Sequence, residues 1–169
     1  MKRRRGDSHR FSGSPFLFTM QRLTITERVR WSDVDFAGIV FYGSYIRFLE
    51  IAEEDLFRTA LQMTSMELYD RFNIWLPRVQ IHCDFRHPAG LDELLNVDIW
   101  VKRFGGKSVT LQFETRKKAD DTLIFEAHTT VACLDRETRR AKWMPDEIAV
   151  KLAPFVAQWD RPLPETQKS

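Results

Sequence analysis

The sequence is poor in the features that mark several large protein classes. Cysteine occurs only twice, at Cys83 and Cys133. Two thiols are too few for a disulfide framework and read as small buried apolar side chains of a reducing compartment, with one bridge between them left open. No apolar run approaches the roughly 18 residues of a membrane span. The stretch Pro15–Phe18 is too short for the apolar core of a secretory signal. Neither a P-loop nor a Rossmann glycine pattern is present, so nucleotide hydrolysis and hydride transfer have no support. Of the four histidines, His82 and His87 flank Cys83 and Asp84, which resembles a ligand cluster. Residues 79–86 alternate, however, which sends His82 and Cys83 to opposite faces, so no metal site is expected. Internal repeats and a second domain are also missing.

What is present describes a globule. The chain has 169 residues, 43% of them hydrophobic, enough for one domain with a core. The formal charge of +2 is unevenly placed, because Lys2, Arg3, Arg4, Arg5 and Arg10 face only Asp7 in the first 19 residues. The remainder has a slight excess of acid, so the body is not a nucleic-acid binder by composition. The expectation is a flexible basic extension over residues 1–19, or a segment upstream of a start at Met20, in preference to a transit peptide. A body over 20–160 and a tail over 161–169 complete the division, with a cytoplasmic location.

Periodicity supplies the elements. Thr24 to Ser32 alternates, with Ile25, Val29 and Trp31 on one face, which predicts a half-buried strand. From Gly43 to Leu61 the period changes: Tyr45, Phe48, Leu49, Ala52, Leu56 and Ala60 recur at helical spacing, with Arg47, Glu50, Glu54 and Arg58 on another face. A shorter helix is expected over Ser65 to Phe72, before Leu76-Pro77 breaks the chain. Four alternating runs follow, at 79–86, 95–103, 108–116 and 123–135, separated by turns at Pro88–Gly90, Gly105-Gly106 and Ala119–Asp121. Pro145 opens a last helix. One strand, one long helix and an antiparallel meander give an α+β class.

The chemistry concentrates in Asp33-Val34-Asp35-Phe36-Ala37-Gly38-Ile39-Val40-Phe41-Tyr42, just before the long helix. A carboxylate can act as nucleophile or general base, and free N–H groups of a first helical turn can hold a developing oxyanion. Asp33 is read as structural, orienting the loop through hydrogen bonds, and Asp35 as the reactive carboxylate that faces substrate. This segment resembles the signature of the 4-hydroxybenzoyl-CoA thioesterase family. Phe85-Arg86-His87-Pro88-Ala89-Gly90-Leu91-Asp92-Glu93-Leu94 is similar to that family's turn between two strands. The similarity runs from about Leu23 to about Val156.

The resemblance implies a hotdog fold, an antiparallel sheet wrapped around the long helix, paired into homodimers and often homotetramers with active sites between subunits. It implies an acyl-CoA thioesterase that needs no cofactor. Asp35 would be nucleophile or general base, and the backbone N–H at Tyr42 would meet the thioester oxygen. Gly38, Val40 and Phe41 would lie against substrate. Some relatives carry histidine at the Tyr42 position, and tyrosine tilts the acyl group towards aromatic. The basic residues Arg103 and Lys107 beside the Gly105-Gly106 turn suit the phosphates of CoA. Phe36, Phe41, Tyr45, Phe48, Trp75 and Trp100 are candidates for an aromatic pocket or for core. An acyl-carrier-protein thioesterase and a non-catalytic acyl-CoA-binding protein are the alternatives. A hotdog hydratase is disfavoured because no histidine follows Asp35 closely in sequence.

Overall fold

A computed structural model describes residues 20–162. The basic extension and most of the tail expected from sequence lie outside the described residues. Strand β1 (Leu23–Arg28) leads through two single-turn helices to α1 (Tyr45–Leu61) and α2 (Ser65–Phe72). The remaining elements are β2 (Ile74–Trp75), β3 (Arg78–Phe85), β4 (Leu94–Phe104), β5 (Ser108–Lys117), β6 (Leu123–Ala132), β7 (Leu134–Asp135) and α3 (Asp146–Leu152). Five strands form an antiparallel sheet in the order β1-β4-β5-β6-β3, and β2 pairs with β7 beside it. The long helix lies on the inner face of that sheet, which is the hotdog arrangement.

The alternating runs explain the core. Leu95, Val97, Ile99 and Val101 of β4 are buried, as are Val109, Leu111 and Phe113 of β5 and Phe125, Ala127 and Val131 of β6. They meet Phe48, Leu49, Ala52 and Leu56 of α1, the stripe expected from helical spacing. α2 begins at a capping box in which Thr64 Oγ1 accepts from Glu67 N–H and Glu67 Oε2 accepts from Thr64 N–H. Both cysteines are free thiols. Burial pushes the Cys133 thiol up to about 11, and burial, aided by Asp84, also raises that of Cys83.

Three features depart from the pattern. β1 stops at Arg28, and Trp31, expected inward, is 80% exposed in a single turn over Trp31–Asp33. That turn forms because the carboxylate of Asp33 reaches back to the N–H of Arg30 at 2.7 Å. Next, Glu53 sits in the apolar stripe of α1 at 4% exposure, neutralised by Arg78 at 2.9 Å. Arg161, assigned to the tail by sequence, is docked: its guanidinium bonds Asp146 Oδ1 and the carbonyl of Met144, each at 3.2 Å.

β3 is an edge strand. Its Val79, Ile81, Cys83 and Phe85 share one face, as alternation predicts, but Val79, Ile81 and Phe85 remain exposed. Ile81, Cys83 and Phe85 pair in register with Thr129 and the inward-facing Ala127 and Phe125 of β6, and Val79 falls at a bulge between Arg78 and Gln80, so this face lies on the helix side of the sheet at an edge that α1 does not cover. Among the described residues, no helix is long and apolar enough to cross a membrane.

Candidate active site

The loop carrying the two aspartates is a small closed structure. Val34 is extended and bridges Val40, and Ile39 bridges Gly90. The N–H of Asp35 donates to Ile39 O at 2.9 Å, and that of Gly38 to Asp35 O at 3.0 Å. Gly38 turns the chain with φ +74°, a conformation open to glycine at little cost. An added Cβ there would meet nothing within 4 Å, so the glycine serves the turn rather than a close approach within the subunit. The loop is tied to the turn after β3 by Val40 N–H donating to Ala89 O at 2.8 Å.

Asp33 closes the single turn Trp31–Asp33 and Val34 after it is extended, and this change of backbone breaks the alternation that would put Asp33 and Asp35 on one side. Asp33 points into the body and is 3% exposed. Arg47, one helical turn into α1, grips it with Nε to Oδ1 at 2.9 Å and a terminal nitrogen to Oδ2 at 2.5 Å. Burial alone would raise the Asp33 carboxyl, but the bonds from Arg47 and from the Arg30 N–H outweigh it and hold the group below its ordinary value. For Arg47, bonding to Asp33 and Glu27 outweighs burial and raises its pKa. This ion pair locks the loop to the helix that follows it.

Asp35 faces the other way, into a cleft of about 360 Å³ lined by Asp35, Ile39, Val40, Tyr42, Tyr45 and the segment from Phe85 to Pro88. Its Oδ1 accepts from Ala37 N–H at 2.8 Å, which fixes the side chain and leaves Oδ2 to the cleft. Among the described residues it has no ion-pair partner. Tyr42 opens the single turn Tyr42–Ser44 that runs into α1. The first bond of that turn is Ser44 N–H to Phe41 O at 2.8 Å, so the N–H groups of Tyr42 and Gly43 precede it and have no intrahelical acceptor. Asp35 and Tyr42, whose backbone N–H has no intrahelical acceptor, therefore line one cleft, beside the positive end of a 17-residue helix.

Of the other residues selected from sequence, Val40 and Tyr45 line the cleft. Tyr45 packs its ring on Phe85 and Phe125 at 5.2 and 4.6 Å, and burial raises its phenol above the ordinary value. Phe41 lies outside the cleft lining, with its ring on Tyr42 at 4.4 Å. Phe48 is core, Trp100 lies under Arg22 and Trp75 packs on Tyr69, so these aromatics do not gather at the site.

Arg103 and Lys107 are not brought to the cleft within one subunit. β5 runs from the basic turn at Ser108 to Thr115, which pairs with Phe125 at the cleft end, a separation of roughly 23 Å. Arg103 bonds Asp160, and the Lys107 ammonium lies 5.7 Å from the centre of the Trp143 ring. Gly106 permits that ring to cover the turn, since a Cβ there would sit 1.8 Å from it.

The structure also corrects one expectation. A histidine does accompany Asp35, because His87 reaches the cleft from the turn after β3. Distance along the sequence was the wrong measure, since the pairing of Ile39 with Gly90 joins the two loops. His82 and His128 stack on the sheet at 5.0 Å, and burial lowers the pKa of His128. Among the described residues, no cluster of three or more candidate metal ligands occurs.

Comparison with known proteins agrees with this architecture. A family model described as the thioesterase-like superfamily matches residues 29–152. The acyl-CoA thioesterase YbgC of Haemophilus influenzae is 29% identical over 121 residues, covering 72% of this chain and 87% of its own. The long-chain acyl-CoA thioesterase FadM of Escherichia coli is 27% identical over 129 residues, covering 76% and 96%. The crystal structure of a 1,4-dihydroxy-2-naphthoyl-CoA thioesterase from Synechocystis superposes with a TM-score of 0.73 at 19% identity, covering 79% of this chain and 96% of that one.

Proposed function

The chain belongs to the thioesterase-like superfamily, and from that premise we propose that it is an acyl-CoA thioesterase in which Asp35 cleaves the thioester and the backbone at Tyr42 holds the oxyanion. The observation that carries this reading is the shared cleft: an unpaired carboxylate and Tyr42, whose backbone N–H precedes the first bond of the turn into α1, line one space. The carboxylate attacks the thioester carbon directly, giving a mixed anhydride, or draws a proton from the water that does so. As the carbonyl oxygen becomes negative, the N–H donors and the helix dipole stabilise it, and one such donor contributes roughly 3–4 kcal/mol to the transition state. No step calls for a metal or redox group.

The cleft is open on the side of β3, and the exposed apolar residues of that edge continue from its lining residue Phe85. A second copy pairing there would wall the cleft and set the acyl pocket between subunits. Antiparallel pairing would also bring the distant end of the neighbouring sheet towards the cleft. That supports a role for Arg103 and Lys107 at the CoA phosphates of a neighbouring site in a dimer or tetramer. Relatives act on long-chain acyl-CoA and, by name, on 1,4-dihydroxy-2-naphthoyl-CoA. Tyr42, Tyr45 and Phe85 at the cleft favour an aromatic acyl group here.

The test is thiol release from a panel of aromatic and straight-chain acyl-CoAs. Asp35→Asn is expected to lower turnover on the order of 10³-fold while remaining folded. Activity on acyl-carrier protein with none on CoA esters would reassign the thioester carrier. Tight acyl-CoA binding without hydrolysis would make the protein a binder.

A further inference from the structure

We propose that His87 is a second catalytic residue of this site, the base that activates water to release the acyl group from Asp35. The inference rests on the thioesterase reading and divides its chemistry between two side chains. Direct attack by Asp35 consumes the carboxylate as nucleophile, so the water that completes hydrolysis needs another base. Among the polar side chains lining the cleft, Asp35 is the nucleophile and Arg86 is held by Glu126 at 3.0 Å and does not give up its proton. A phenol is a poor base at neutral pH, and burial reinforces this at Tyr45. That leaves the imidazole of His87.

The geometry prepares it for that work. Nδ1 lies 2.8 Å from Leu123 O. A carbonyl oxygen only accepts, so this contact assigns the proton to Nδ1 and leaves the lone pair on Nε2. The main chain holds the ring in place, with Arg86 N–H and His87 N–H donating to Ile124 O at 2.8 and 3.2 Å. Pro88 follows and restricts His87 to extended backbone. A carbonyl at Nδ1 also stabilises the imidazolium once Nε2 gains a proton.

The sequence of steps balances. Asp35 Oδ2 bonds to the thioester carbon, and the C–S bond breaks with its electron pair on sulfur. Water then bonds to the acyl carbon of the anhydride while its proton passes to His87 Nε2. The bond from acyl carbon to Asp35 breaks with its pair returning to the carboxylate. The imidazolium passes its proton to the CoA thiolate, so the products are a carboxylate and free CoA once solvent takes the remaining proton.

The experiment follows thiol release in the first turnover and at steady state for the parent enzyme, His87→Gln and His87→Ala. His87→Gln is expected to release one thiol per site at close to the parent rate and then turn over about 100-fold or more slowly. The acidic limb of its turnover profile should move to lower pH, and added imidazole should restore part of the turnover of His87→Ala. First-turnover and steady-state rates that fall together, without rescue, would mean a purely structural role and overturn the assignment. So would an active parent whose turnover and pH profile His87→Gln leaves unchanged. A parent that cleaves no ester would overturn the thioesterase reading, and this assignment with it.

Discussion

Glu53 shows how one buried charge sets a condition on its neighbour. Its carboxyl faces the hollow between α1 and β3, close to Ile46, Leu49, Ile81 and Thr129. Burial raises its pKa, and Arg78 only partly offsets this. A raised carboxyl binds more protons in the folded than in the unfolded state between the two pKa values, so its contribution to stability falls as pH rises through that window. Arg78 limits the loss, and the two halves of the pair are unequal. Arg78 is 39% exposed and can turn to water, whereas Glu53 cannot. Arg78→Met should therefore destabilise the fold by roughly 3 kcal/mol at pH 8 and by much less at pH 5. Glu53→Gln should cost little at either pH. Urea denaturation of both variants at the two pH values tests this, and equal losses for the two would show that the pair is not the cause.

At the scale of elements, the loop between β1 and α1 is a strap whose clasp is Asp33 and Arg47. The carboxylate binds the helix through Arg47 and the strand exit through Arg30 N–H, while its own carbonyl accepts from Phe41 N–H at 2.8 Å. Asp33→Asn leaves Arg47 with Glu27 as its remaining carboxylate, at 3.3 Å. We expect a loss of about 2–4 kcal/mol and, in the folded fraction, a lower kcat, because Asp35 and Tyr42 ride on the strap. An unchanged melting transition would remove the clasp from this account. The same strap marks where the sequence stopped being legible. α2 was readable to its end residues because Thr64 and Glu67 form a local box and Pro77 breaks the chain soon after. The stripe of α1 and the alternation of β4 to β6 were equally open, since both are periodic. Asp33 and Arg47 were visible as residues but not as partners, because nothing in a spacing of fourteen announces a contact. Trp31 faces outward for the same reason: a side-chain bond from Asp33 creates a turn that alternation along the strand does not announce. β2 and β7, two residues each, are too short to show a period.

The whole molecule is legible in layers but not in contacts between distant loops, and its site depends on both. Asp35 and Tyr42 came from one continuous segment, whereas His87 joined them only through the pairing of Ile39 with Gly90. One unsatisfied edge is likewise a property of the whole. β3 offers an unpaired backbone edge of eight residues, with Val79, Ile81 and Phe85 exposed along it and Ile46 of α1 exposed across the hollow. Natural edges are normally blunted by lysine, proline or a covering element. Here the exposed apolar face is continuous with the cleft, which points to a second copy as its cover. Two-fold antiparallel pairing of this edge would extend the sheet across both subunits and close both clefts at once. Ile81→Lys puts a charge in the middle of that edge, about 13 Å along the strand from Phe85 and away from Asp35. The variant should sediment as a monomer, keep the circular dichroism of the parent and lose most of its thioesterase turnover, because the cleft is left without its wall. A monomeric Ile81→Lys enzyme with full turnover would place the whole site within one subunit, and an unchanged oligomer would move the interface away from β3.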